Sequence, residues 1–148
     1  MLRLSKLTDY ATVILSFMAR DRGQVRAAME IAAMTGIAQP TVSKILKLLV
    51  NANVLISTRG AKGGYALART PEEISVAAVI SALEGPIALT ECSISHQGCE
   101  QASGCDIRGN WSLINQTIHN ALESVTLADL TRPAVPEEVF VPVASLYR

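Results

Sequence analysis

The stretch AAMEIAAMTGIAQPTVSKILKLL, residues 27–49, decides the fold. Its first part, about Ala27 to Met34, places Met29, Ile31 and Ala32 at apolar positions of a short helix. Thr35 and Gly36 follow, and glycine ends a helix readily because it enters the left-handed region without a Cβ penalty. Ile37, Ala38 and Gln39 then bridge to a helix that opens at Pro40, where proline gives up no hydrogen bond. In that helix Val42, Ile45, Leu46 and Leu49 share one face, while Thr41, Ser43, Lys44 and Lys47 fall largely on the other. Two helices, a tight glycine turn and a polar, basic outer face read as a helix-turn-helix, with the second helix suited to a DNA major groove. Gln39 lies near the edge of that surface.

The next stretch sets the subtype. Val54 to Thr58 is β-prone, residues 59–64 turn through Arg59, Gly60, Lys62, Gly63 and Gly64, and Tyr65 to Leu67 returns. This is a hairpin with a glycine-rich basic tip, the wing of a winged helix. Arg59 and Lys62 can reach a minor groove or phosphates from it. Alone, such a hairpin reads as a surface turn with two solvated charges; the preceding helix-turn-helix favours DNA contact.

Upstream, Leu7, Tyr10, Ala11, Ile14, Phe17 and Met18 recur at helical spacing, with Ser5 as N-cap and Asp9 in or near the first turn. Arg3 and Lys6 are phosphate candidates at this end. Downstream, Thr70-Pro71-Glu72-Glu73 carries helix-start chemistry, and Ser75 to Glu84 is a short helix stopped by Gly85-Pro86. A long helix opens at Arg108 or Asn110, with Trp111, Ile114, Ile118, Ala121, Leu122 and Val125 as its apolar stripe. Thr126 to Asp129 resembles a capping box for one more turn. The tail, with Pro133, Pro136 and Pro142, shows no period. A single helix-turn-helix presents little surface for reading DNA, so such modules usually pair across successive grooves. Trp111–Val125 is therefore expected to form a homodimer interface, the alternative being packing within one chain. The expected architecture is mainly α: a winged helix-turn-helix over residues 1–70, a linker helix, cysteine loop and dimerisation helix over 71–130, and a tail over 131–148.

Charge agrees with this division. The chain of 148 residues has no formal net charge, yet residues 1–70 hold ten Lys and Arg against three acids, and residues 71–148 hold three against ten. A basic half is drawn to phosphates and an acidic half stays off them. No apolar run approaches the roughly 20 residues that span a bilayer, and the N-terminus lacks a signal-peptide core. A cytoplasmic protein is expected, in which thiols stay reduced.

All three cysteines lie in ECSISHQGCEQASGCD, as Cys92, Cys99 and Cys105. Structural zinc sites usually include a knuckle with two to four residues between cysteines, and none is present. A wider loop can still wrap a cluster, and thiolates suit iron–sulfur clusters. Three cysteines leave one position open, for which Asp9, Glu91, His96 and His119 are candidates. Free, oxidisable thiols are the bland alternative. No nucleophile–base pair, no phosphate-binding glycine loop and no deaminase-type zinc motif occurs, so no enzyme is expected.

Taken together, LRLSKLTDYA, the helix-turn-helix, RGAKGGY, ISVAAVISALEGP and the three cysteines resemble the winged-helix iron–sulfur regulators of the IscR and NsrR type, over about residues 1–130. PTVSKILK, GPIALTECS and CDIRGNW look closest to the subgroup that regulates the SUF cluster-assembly operon. The resemblance implies a homodimer on a partly palindromic double-stranded DNA operator, often acting as a repressor. It implies a [2Fe-2S] or [4Fe-4S] cluster on Cys92, Cys99 and Cys105. The IscR branch has a histidine three residues after the last cysteine, where this chain has Arg108, which cannot ligate. The NsrR-like branch uses an aspartate in the first helix, and Asp9 matches it, with His96 as second choice. Regulation through nitric oxide or another oxidant uses the same residues. A metal-free thiol sensor and a small electron carrier are the remaining alternatives.

Overall fold

The computed structural model describes residues 2–94 and 104–133. Within them run α1 (Lys6–Arg20), α2 (Ala28–Thr35), α3 (Gln39–Asn51), β1 (Leu55–Thr58), β2 (Gly64–Leu67), a 3₁₀ turn (Pro71–Glu73), α4 (Val76–Glu84), α5 (Glu91–Ile94), α6 (Arg108–Ser124) and α7 (Leu127–Thr131). This is the expected mainly helical winged fold with one antiparallel hairpin.

The Ser5 hydroxyl caps α1 by accepting from the Thr8 N–H at 3.2 Å. Ala11, Ile14, Leu15 and Met18 are buried along it, while Tyr10 and Phe17 are half-buried. Glu30 accepts from the Ala27 N–H at 3.2 Å and steadies the start of α2. Gly36 ends that helix at φ 73°, in the left-handed region. Helix α3 starts at Gln39, one residue before Pro40. The proline still sits in the first turn, where its missing N–H would have no intrahelical acceptor.

Val42, Ile45, Leu46 and Leu49 are all fully buried. Burying one Ile or Leu side chain is worth about 1.5–3 kcal/mol, against about 1 kcal/mol for an N-cap. Packing on α1 and α3 therefore outweighs the caps in holding this domain. Ile74, Val79 and Leu127 join the same buried cluster, so the core runs on past residue 70.

In the wing, Leu55 pairs with Leu67 and Thr58 with Gly64. Arg26 adds a short third edge: its N–H donates to the Tyr65 carbonyl at 2.9 Å, and the Tyr65 N–H donates back at 2.8 Å. A Cβ on Gly64 would lie 2.4 Å from the Arg26 carbonyl oxygen, and one on Gly63 would lie 2.2 Å from that of Thr58. The paired glycines thus permit close backbone approach at the tip end of the hairpin.

Helix α6 is tied at two points. The Val76 N–H donates to the Val125 carbonyl at 2.8 Å, and the Ser75 hydroxyl donates to Glu123 at 2.8 Å. One turn and more upstream, Asn115 accepts from the Leu89 N–H and donates to the Ile87 carbonyl, both at 3.1 Å. Val125 lies just past the helix in extended backbone. No residue of α6 is buried: Trp111, Ile118 and Leu122 are half-covered, and Leu113, Ile114 and Ala121 are exposed. Among the described residues, no helix is long and apolar enough to cross a membrane.

Candidate nucleic-acid interface and cysteine site

The buried face of α3 turns its opposite side outward. Gln39, Ser43, Lys44 and Lys47 are exposed, and Thr41 is half-buried. Thr41 lines a cleft with Lys6, Tyr10, Gly36 and Ile37, so the start of α1 stands beside the turn and the first turn of α3. The Lys6 ammonium lies 5.4 Å from the Tyr10 ring centroid, within cation–π range. Arg3 is exposed on the segment just before α1, and Arg59 and Lys62 are exposed at the wing tip.

Two other arginines of the basic half are engaged with acids. Arg22 is bridged to Glu72, and Arg26 to Asp21. The Arg22 guanidinium holds the Glu72 carboxyl below its ordinary value. Arg3, Lys6, Lys44, Lys47, Arg59 and Lys62 form no salt bridge among the described residues. The positive charge at the recognition helix, the wing and the N-terminal segment is thus left uncompensated, the condition for exchanging counterions with phosphates.

At the cysteine site, residues that periodicity could not resolve form the one-turn helix α5, which carries Cys92 and Glu91. Cys92 is half-buried, and the Thr90 hydroxyl lies 3.1 Å from its sulfur and 2.9 Å from the Ser93 hydroxyl. Cys105 is half-buried ahead of α6, and its carbonyl accepts from the Arg108 N–H at 3.4 Å. Cys99 and His96 lie outside the described residues. Asp9 is exposed in the first turn of α1, and its carboxylate has no hydrogen-bond partner among the described residues. His119 is half-buried on α6 and faces a shallow cavity with Asn115, Pro86 and Ile87. Among the described residues, no group of three or more His, Cys, Asp or Glu side chains is placed to hold a metal ion. The donor chemistry still suits a thiolate-bound cluster, with two thiols bracketing the loop and a free carboxylate on α1.

Two positioning residues escaped the sequence reading. Asn115 uses both ends of its amide to hold residues 87–89, the approach to the cysteine loop. Glu84 accepts from the Ser5 N–H and the Thr8 hydroxyl, each at 2.6 Å. A signal for Glu84 did exist. A carboxylate in the last turn of a helix opposes the helix dipole, so its presence there points to a specific partner.

A buried helix-turn-helix, a basic wing and uncompensated cations on both define a winged-helix DNA-binding transcriptional regulator. Residues 4–133 match the Rrf2 family, described as iron-dependent transcriptional regulators, and the chain belongs to that family. It is 31% identical over 131 residues to the transcriptional regulator NsrR of Geobacillus kaustophilus, covering 87% of this chain and 89% of that one. Among solved structures it is similar to CymR, the global cysteine regulator of B. subtilis, at TM-score 0.68 and 30% identity, covering 88% of this chain and 97% of CymR. It is likewise similar to T. potens IscR at TM-score 0.64 and 28% identity, covering 87% and 85%. These relatives are transcriptional regulators and not enzymes, as expected for this chain.

Proposed function

We propose that this chain is a homodimeric, cytoplasmic repressor of iron–sulfur cluster assembly (SUF) genes that senses through its own bound cluster. The observation that carries the reading is the placement of the cysteines directly ahead of α6, a helix of 17 residues with none buried. A second copy covering α6 would bring each cysteine loop to a subunit boundary. The similarity to NsrR and IscR supports the same reading.

Cys92, Cys99 and Cys105 would hold the cluster, with Asp9 of the partner subunit as fourth ligand. A bound cluster supplies a centre whose gain, loss or damage alters the loop that holds it. A carboxylate is a harder and more exchangeable ligand than a thiolate, which suits a labile site. Residues 1–70 would bind DNA, 71–130 would carry the sensor and dimer contacts, and 131–148 would be a tail. Gln39, Thr41, Ser43, Lys44 and Lys47 would face the major groove, Arg59 and Lys62 would work from the wing, and Arg3 and Lys6 would meet phosphates. The same ligand set also serves a signal that attacks the cluster, such as nitric oxide or another oxidant.

The similarity to CymR favours a second reading, in which the thiols respond without a metal. Anaerobic purification with absorbance, iron and sulfide analysis separates the two. A coloured protein with iron and acid-labile sulfide is expected. A colourless protein after anaerobic reconstitution removes the cluster reading and leaves the thiol one.

A further inference from the structure

We propose that Glu84 is a positioning residue for DNA binding, latching the basic N-terminal segment to the approach of the cysteine loop. The proposal rests on the DNA interface described above. The Glu84 Oε1 atom accepts from the Ser5 N–H and from the Thr8 hydroxyl at 2.6 Å each. Thr8 is fully buried, and Ser5 and Thr8 also share a 3.1 Å contact between their hydroxyls. One carboxylate oxygen therefore gathers the backbone and the capping hydroxyls at the start of α1. Arg3 and Lys6 flank that point, and Lys6 lines the cleft beside Thr41 of the recognition helix.

On its other side Glu84 ends α4. Gly85 leaves the helix at φ 84° and ψ −165°, Pro86 follows, and Ile87 and Leu89 are held by Asn115 of α6. Leu2, Leu4, Ile87, Leu89 and Ile94 line one groove across this junction. The path from the cysteine approach to the basic segment is thus short: residues 87–89, Glu84, then Ser5 and Thr8. A shift of residues 85–89 reaches Arg3 and Lys6 through one carboxylate.

The test uses the full chain and a mixed-sequence DNA duplex, with affinity measured across salt. Variants are Glu84→Ala, Glu84→Gln, Arg3→Ala with Lys6→Ala, and that pair combined with Glu84→Ala. Each phosphate that the protein no longer neutralises lowers the slope of log affinity against log salt by about 0.9. Glu84→Ala is expected to lower the slope by about 1 to 2, as is the Arg3/Lys6 pair, and the combination to be no flatter than the pair alone. Glu84→Gln, whose amide oxygen still accepts, should stay near the parent slope. An unchanged slope for Glu84→Ala, or additive losses in the combination, overturns the latch, whatever happens to thermal stability. Should Glu84→Ala fail to fold, Thr8→Val removes one of the two bonds at constant shape. It should lower the slope by a smaller amount, and no change would overturn the latch. Lys44→Ala with Lys47→Ala is the control. If that pair also leaves binding unchanged, the DNA interface is misplaced and the failure is not the latch's alone.

Discussion

Gly64 shows how one missing atom shapes the wing. Its neighbours in sequence read as a turn tip, yet its hydrogen faces the Arg26 carbonyl, where a Cβ would lie 2.4 Å away. Gly64→Ala should therefore force β2 off the 26–65 bridge and cost about 1–3 kcal/mol of stability, as overpacking does elsewhere. Urea unfolding measures this; an unchanged midpoint would mean that the backbone around Gly64 yields freely. Glu84 makes a pH prediction. The Thr8 hydroxyl first, then the Ser5 N–H, hold its carboxyl below the ordinary value. A carboxyl depressed in the folded state stabilises above its unfolded value and loses that contribution as pH falls through the folded one. Attachment of the N-terminal segment should thus be intact at neutral pH and fail only in acid, below the usual carboxylate range. Amide exchange of residues 5–9 across pH reports it. A loosening near neutrality, or the same acid step in Glu84→Gln, would contradict the assignment. Ser5 as a cap was legible because it precedes an apolar period. The partner of Glu84 was not, since Thr8 lies 76 residues away.

At the scale of elements, local periodicity located nearly every helix. The face Val42, Ile45, Leu46 and Leu49 of α3 is buried as its spacing predicts, because a four-residue apolar set on one side of a helix has few other places to go. What periodicity could not show are contacts between distant segments: the Arg26–Tyr65 and Ser75–Thr126 bridges, and the one-turn helix α5. Each depends on a partner outside the sequence window or is too short to repeat a period. Two predictions belong here. Replacing Lys44 and Lys47 by Ala should lower the salt slope of duplex binding by about 2, since each removes one unpaired cation. Equal affinity at matched salt would move the recognition surface elsewhere. On α6, Ile114 is 43% exposed beside Leu113 at 68%, an apolar surface that one chain leaves uncovered. Ile114→Glu should yield a folded monomer by sedimentation at concentrations where the parent is a dimer. A variant that stays dimeric would place the interface on another element.

Across the whole molecule, charge and sulfur are segregated. The basic half carries the helix-turn-helix and the wing; the acidic half carries every thiol. The two halves share one core through Ile74, Val79 and Leu127. The fold, the basic surface and the two bracketing cysteines Cys92 and Cys105 were legible because each is written in local residue type and spacing. Which of Asp9, Glu91, His96 and His119 would complete a cluster was not, because local spacing does not distinguish candidates so far apart in the chain. The most direct measurement compares operator-containing DNA binding by cluster-loaded and cluster-free dimers at matched salt under anaerobic conditions, beside Cys92→Ser. The parent should show affinities at least about tenfold apart, a coupling of about 1.4 kcal/mol, and Cys92→Ser a single affinity under both treatments. Equal affinity of the two parent forms would contradict it.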